Sequence, residues 1–300
     1  MEGLTYAYFP LYPILLRTAN VFFRNIELTA FVTANFLLVA NFWALWRLLA
    51  KVYSAKIAIK TAYLLFLFPL SVFFRSYFAE GLFLFLLIWF AYCLNQKRFL
   101  KAAFFLSLLV ITRSSGLFLA IPFLYFLWKQ LRTKELQFEK ALVALIISII
   151  PLFGWLAYCF KQTGNPFYFY TVRSAWFQQD FPFAPLWHNF LLIIQFTRLP
   201  FHYFHTSAVD ILVIFLSLYL VVKSQQFLSK SLWLISLVLA ITPLVVTDTM
   251  SYTRYQIVSF PLFIYLANSL NGWLYWLVIV GFTAGLFIVS LYFVNWYWIG

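Results

Sequence analysis

Residues 102–128 read AAFFLSLLVITRSSGLFLAIPFLYFLW. The stretch is too long for one membrane span, which takes about 20 residues, and TRSSG at Thr112–Gly116 interrupts it. The spacing predicts two short helices that meet at the break, dipping into a membrane and returning. Broken helices with polar tips are tolerated at membrane depth only where protein buries them or where they line a cavity. The break therefore marks a helical membrane protein that carries a polar tip for a purpose.

Composition agrees with that class. Apolar residues make up 65% of the 300 and charged residues 10%, with a mean hydropathy of +0.91, against about 45–50% and about 25% in soluble domains. Spanning helices are expected at 28–48, 57–74, 77–95, 141–160, 205–222, 231–247, 255–270 and 273–293, about eight in all beside the re-entrant pair. Residues 1–20 lack the basic start and apolar core of a cleavable signal. The whole of 1–300 reads as a single transmembrane domain, with no P-loop or Rossmann fingerprint, no internal repeat and no expected cofactor. Cys93 and Cys159 read as buried apolar thiols. His202 and His205 lack a convincing third ligand, so no metal site is expected.

A net charge of +13 could suggest nucleic acid, but the basic residues cluster in short loops between apolar runs, as cytoplasmic loops require. Placing Lys97, Arg98, Lys101, Lys129, Arg132, Lys134, Lys140 and the loops at 47–60 and 223–230 inside leaves Glu2, Glu27, Glu80, Asp180, Asp210 and Asp248 at or near the outer side. Arg17, Arg24, Arg75, Lys161, Arg173, Arg198 and Arg254 join them there, with Arg113 at the inserted tip. Ionisable groups that close to hydrocarbon are functional candidates.

Three constellations carry chemistry. In FPLSVFFRSYFAEGLFLF (68–85), Arg75 and Glu80 flank Ser76 and Tyr77, with Ser76, Tyr77 and Glu80 expected on one helix face. This is either a structural Arg–Glu pair or a carboxylate base beside a phosphate-binding cation. In ITRSSG, Arg113 is either an arginine satisfying local carbonyls or an anion seat, to which a helix starting near Ser114 or Ser115 would add N–H donors. In DTMSYTRYQIVSFPLF (248–263), Arg254 and Tyr255 are either an interfacial anchor or a second phosphate contact. The outer loop 161–204, rich in Phe, Tyr and Trp and including Trp176 and Asp180, is either an aromatic belt or a lid over sugar and lipid.

These stretches, taken with the N-terminal YAYFPLYPILLR containing Tyr8 and Tyr12, resemble PIG-V-type (GPI mannosyltransferase-like) mannosyltransferases and their prokaryotic relatives, in the GT-C superfamily. FPLSVFFRSYFAEGLF is similar to that family's proline, aromatic and Glu-x-Leu-Phe run, with Ala79 where a serine is usual. ITRSSGLFLAIP, TGNPFYFY and RYQIVSFPLF resemble its later segments, in order along the chain.

The resemblance implies a GT-C-like helical bundle in a prokaryotic cell membrane. It implies transfer of a sugar, often mannose, from a polyprenyl-phosphate carrier to a lipid, glycan or protein acceptor on the non-cytoplasmic side. Glu80 or Glu2 would be the catalytic carboxylate, with Arg75, Arg113 and Arg254 on the donor phosphate. Tyr8, Tyr12, Tyr77, Trp176, Asp180 and Tyr255 would line the substrate. In the family a first helix and an outer loop with an acidic residue precede the aromatic-proline segment, so Met1 is expected to be a late start or the chain a fragment. A non-catalytic relative that binds lipid-linked sugar, or a transporter of such lipids, stands as the alternative.

Overall fold

The computed structural model describes residues 8–172, 201–246, 251–295 and 297. Among them the structure is helical and contains no strand. Among the described residues three helices are long and apolar enough to cross a membrane: α2 (Ile26–Val52), α8 (Phe138–Thr163) and the last, α14 (Gly272–Val294). α14 exposes Trp273, Trp276, Leu277, Val280, Phe287 and Ile288 on the face opposite its buried Tyr275, Ile279 and Leu286. A helix apolar on all sides with so much of it uncovered is made for lipid rather than water. Of the expected spans, 28–48, 141–160 and 273–293 correspond to these three helices.

The chain packs as two compact units, each discontinuous in sequence. The first takes in the described residues of Met1–Asn41 and Tyr77–Gln178. It opens with α1 (Leu11–Phe23), a helix absent from the sequence expectations because Pro10 and Pro13 suggested a broken segment. Both prolines lie at or within the first turn, where backbone N–H groups have no intrahelical partner, so neither interrupts the helix.

α4 (Glu80–Asn95) and α5 (Phe99–Val110) form a helical hairpin. Its turn is closed by Lys97, left-handed at φ 56°, while the Arg98 N–H donates to the Cys93 carbonyl at 2.9 Å. α6 (Ser115–Phe118) and α7 (Ala120–Arg132) follow the break. α5 also packs on α8. Both present small residues, Ala102 and Ala103 on α5 and Ala141, Ala144 and Ser148 on one stripe of α8, all buried. Small side chains let helix backbones approach closely where lipid leaves little hydrophobic drive between helices. At the far end of the hairpin, Lys97 Nζ meets Glu135 Oε2 at 2.6 Å, joining two of the basic loops expected on one side. α8 ends on Gly164, left-handed at φ 74°, and the Asn165 side chain then accepts from the Phe167 N–H ahead of α9 (Tyr168–Thr171).

The second unit takes in the described residues of Phe42–Ser76 and Gln179–Gly300. The expected span 57–74 is instead α3 (Ala55–Phe66) followed by a 3-10 helix, Pro69–Phe74. Phe68, immediately before Pro69, is extended at ψ 138°, because a residue preceding proline avoids the helical region. α10 (Phe201–Ser224), α11 (Lys230–Val246), α12 (Tyr252–Gln256) and α13 (Phe260–Ser269) complete the unit with α14. The expected helix 255–270 is thus two helices, α13 restarting with Pro261 in its first turn. Gly285 of α14 lies against Pro69, where an added Cβ would stand 2.8 Å from the ring.

Candidate functional site

Glu80 is the first residue of α4, and its carboxylate is 1% exposed. Arg113 lies in the break after α5, with 17% of its side chain exposed. The hairpin explains why they meet. Glu80 stands 17 residues before Lys97 in the turn and Arg113 16 residues after it, so antiparallel packing brings both to the same end. Arg113 Nη1 lies 2.6 Å from Glu80 Oε1. The ion pair therefore joins two of the expected constellations.

This arrangement corrects two local expectations. Arg75 is exposed, and the partner the structure gives the Glu80 carboxylate is Arg113. Ser76, Tyr77 and Glu80 do not share a helix face, because residues 75–79 form a turn and helix begins only at Glu80. The break differs from expectation as well. α6 has only four residues, and the N–H groups of Gly116 and Leu117 donate to the Arg113 and Ser114 carbonyls, so they are not turned to an anion. The break is compact because Gly116 presses against α5. A Cβ there would stand 2.2 Å from the Leu109 carbonyl oxygen.

The N-terminal segment docks at the same end. The Leu11 N–H donates to the Ile111 carbonyl at 3.0 Å, fixing the start of α1 on the break. Phe9 packs with Trp155, Cys159, Ile111 and Phe169, its ring edge-on to Phe169 at 5.4 Å. Tyr12, one residue beyond Leu11, is 6% exposed, and its hydroxyl makes no hydrogen bond among the described residues. α1, with 13 residues, is too short to span a bilayer. Burial, then the Glu80 carboxylate and Tyr77, push the Tyr12 phenol up to about 12. It is thus a neutral hydrogen-bond donor at any physiological pH.

A fourth element was not singled out in the sequence. Asn41 of α2 is fully buried and donates from Nδ2 to the Gly81 carbonyl at 2.8 Å, one residue past Glu80. A polar amide in the middle of a long apolar helix was the available signal. The first unit therefore gathers Tyr12, Asn41, Glu80 and Arg113 from four separate segments. Tyr8 and Tyr77 are exposed. Glu2, Trp176 and Asp180, like 173–200 of the expected outer loop, lie outside the described residues.

In the second unit Arg254 is half-buried, its guanidinium carbon 4.2 Å from the centre of the Phe73 ring. Tyr255 is also half-buried. Around them lies a buried polar network that the sequence reading did not assemble. Asp210 Oδ1 accepts from the Thr253 N–H at 2.8 Å and the Thr253 hydroxyl at 2.5 Å. The Tyr252 hydroxyl bonds Ser217 and donates to the Ala240 carbonyl. Gln256 donates to the Leu239 carbonyl and accepts from Ser259.

Chemically, the first unit offers a carboxylate, a cation with an accessible edge and a neutral phenol donor. That set suits proton abstraction beside a developing negative charge. Compared with protein-family models, curated proteins and solved structures, the chain matches none.

Proposed function

We propose that the chain is a membrane glycosyltransferase of the GT-C type, similar to PIG-V-type mannosyltransferases. It would take a sugar, mannose by that resemblance, from a polyprenyl-phosphate carrier and attach it to a lipid, glycan or protein acceptor on the non-cytoplasmic side of a prokaryotic membrane. The observation that carries this reading is the Glu80–Arg113 pair, with Tyr12 beside it. Three segments that resemble the family, far apart in sequence, supply these residues to one end of one helical hairpin.

In this reading the acceptor O–H gives its proton to the Glu80 carboxylate. The acceptor oxygen bonds the anomeric carbon, and the bond from that carbon to the carrier phosphate breaks with its electron pair left on the phosphate. Arg113 stabilises that phosphate, and Tyr12 donates to a sugar or phosphate oxygen. Arg113 is the more accessible partner of the pair and Glu80 the buried one. An arriving phosphate therefore engages Arg113 first and competes for the charge that holds Glu80. Donor binding and release of the base become one event. Arg75 and Arg254 belong to the second unit, where a phosphate-binding role is what the resemblance implies for them.

The burial of Glu80 also favours a second reading, a non-catalytic relative in which the pair is purely structural. Glu80→Gln separates the two. The full chain in lipid nanodiscs, supplied with labelled polyprenyl-phosphate mannose and membrane lipid acceptors, should lose at least about 100-fold in transfer rate on this substitution, the span of general-base effects. Donor binding should be retained. Wild-type transfer that persists undiminished in Glu80→Gln would remove Glu80 as the base.

A further inference from the structure

Asp210 has no part in the reaction just described, yet it is a carboxylate only 4% exposed, on a helix rich in apolar residues. Such a group is costly to bury unless hydrogen bonds hold it. Two of its bonds go to one residue. Oδ1 accepts both the backbone N–H and the hydroxyl of Thr253, which immediately precedes Arg254.

The recipient is a helix that has little means of holding itself. α12 has five residues, and its N-cap, Ser251, makes no side-chain capping bond. The first N–H groups of a helix need partners from outside. Here the cap for Thr253 comes from Asp210 on α10, a separate helix. The flanking residues are fixed the same way, Tyr252 on Ser217 and the Ala240 carbonyl, and Gln256 on the Leu239 carbonyl. Arg254 is thus held between anchored neighbours, with its guanidinium over Phe73.

We infer that Asp210 is a positioning residue for Arg254, capping α12 from a neighbouring helix so that the guanidinium stays fixed for a phosphate. The phosphate part of this rests on the function proposed above, whereas the fixing of Arg254 does not. A purely structural role predicts lower stability. A positioning role predicts, in addition, a defect that disappears once Arg254 itself is removed.

Two measurements on the full chain in nanodiscs test this. The first is the rate at which phenylglyoxal modifies Arg254, followed by peptide mass spectrometry. Asp210→Ala should raise it about fivefold or more, the order expected when a held side chain becomes mobile. Asp210→Asn, which retains a carbonyl acceptor, should stay near the wild-type rate. Should Asp210→Ala fail to fold, Thr253→Val, which loses one of the two bonds, takes its place with a smaller rise. An unchanged rate in the folded variant overturns the proposal.

The second is the KM for the polyprenyl-phosphate donor. Asp210→Ala and Arg254→Gln should each raise it about tenfold, a size typical of lost positioning. The double variant should be no worse than Arg254→Gln alone. Multiplying effects would overturn the proposal, placing the role of Asp210 elsewhere. A wild-type protein with no transfer would sink the proposed function, and the labelling result would still decide whether Asp210 holds Arg254.

Discussion

Arg113 Nη1 lies 2.6 Å from Glu80 Oε1, across the open end of a helical hairpin whose turn is Lys97. Neither residue has a helix to itself. Glu80 opens α4, and Arg113 stands in the irregular stretch after α5. Breaking a buried ion pair by removing one partner leaves an uncompensated charge, at a cost of about 3–5 kcal/mol. Arg113→Gln should therefore lower stability by roughly that order, and the double variant Glu80→Gln, Arg113→Gln by clearly less, since it buries no lone charge. Thermal unfolding of the wild type, both single variants and the double variant in one detergent checks this. A double variant as damaged as the sum of the singles would mean the pair is not energetically coupled.

Gly116→Ala should destabilise the break. The new methyl meets the Leu109 carbonyl oxygen and carbon at 2.2 and 2.4 Å and the Val110 nitrogen at 2.8 Å, all backbone atoms of the α5 end. No side chain can swing aside, so the break must shift, at about 1–3 kcal/mol for overpacking of this kind. Because the break carries both Arg113 and the carbonyl that holds Leu11, loss of transfer should accompany the fall in melting temperature. A Gly116→Ala protein with wild-type melting and transfer would contradict this close approach.

The Lys97 ammonium, by hydrogen bond and charge, and smaller hydrogen bonds from Gln130 and Thr133, hold the Glu135 carboxyl below the usual carboxylate range, against a smaller effect of desolvation. A depressed carboxylate contributes its stability above the ordinary carboxylate pKa and loses it as pH falls through its lowered value. Both partners are largely exposed, so the contribution is small and screened by salt. Replacing Lys97 by Gln should move the Glu135 titration, followed by the carboxyl carbon NMR signal, upward toward its ordinary value. High salt should shift the wild-type signal the same way. A titration unmoved by the substitution would mean that this pair does not persist in solution.

Much of the architecture was legible in the residues. The apolar runs of α2, α8 and α14 exceed what a soluble helix needs, and a membrane leaves such runs few alternatives to helix. The interruption at Thr112–Gly116 was legible too, because a polar, Gly-containing stretch inside 102–128 had to end one helix and begin another. α1 was missed because the positions of Pro10 and Pro13 relative to a helix start depend on where the chain is seized, and the Ile111 carbonyl seizes it at Leu11. The extent of α3 was misjudged for a local reason, the restriction that Pro69 places on Phe68.

The sequence by itself determined the helical, lipid-facing character of the chain, and it marked Glu80, Arg113 and Arg254 as residues placed where charge is expensive, whereas Tyr12 entered only through the family resemblance. Hydrophobic periodicity and helix breakers act over a few neighbours, so they can be read along the chain. Only the tertiary structure decided that Glu80 takes Arg113 rather than Arg75, that Tyr12 lies within the field of that carboxylate, and that Asp210 caps the helix bearing Arg254. Those pairings depend on helix lengths, on the close packing that Ala102, Ala103 and Gly116 permit, and on buried polar groups taking the nearest partner that packing supplies.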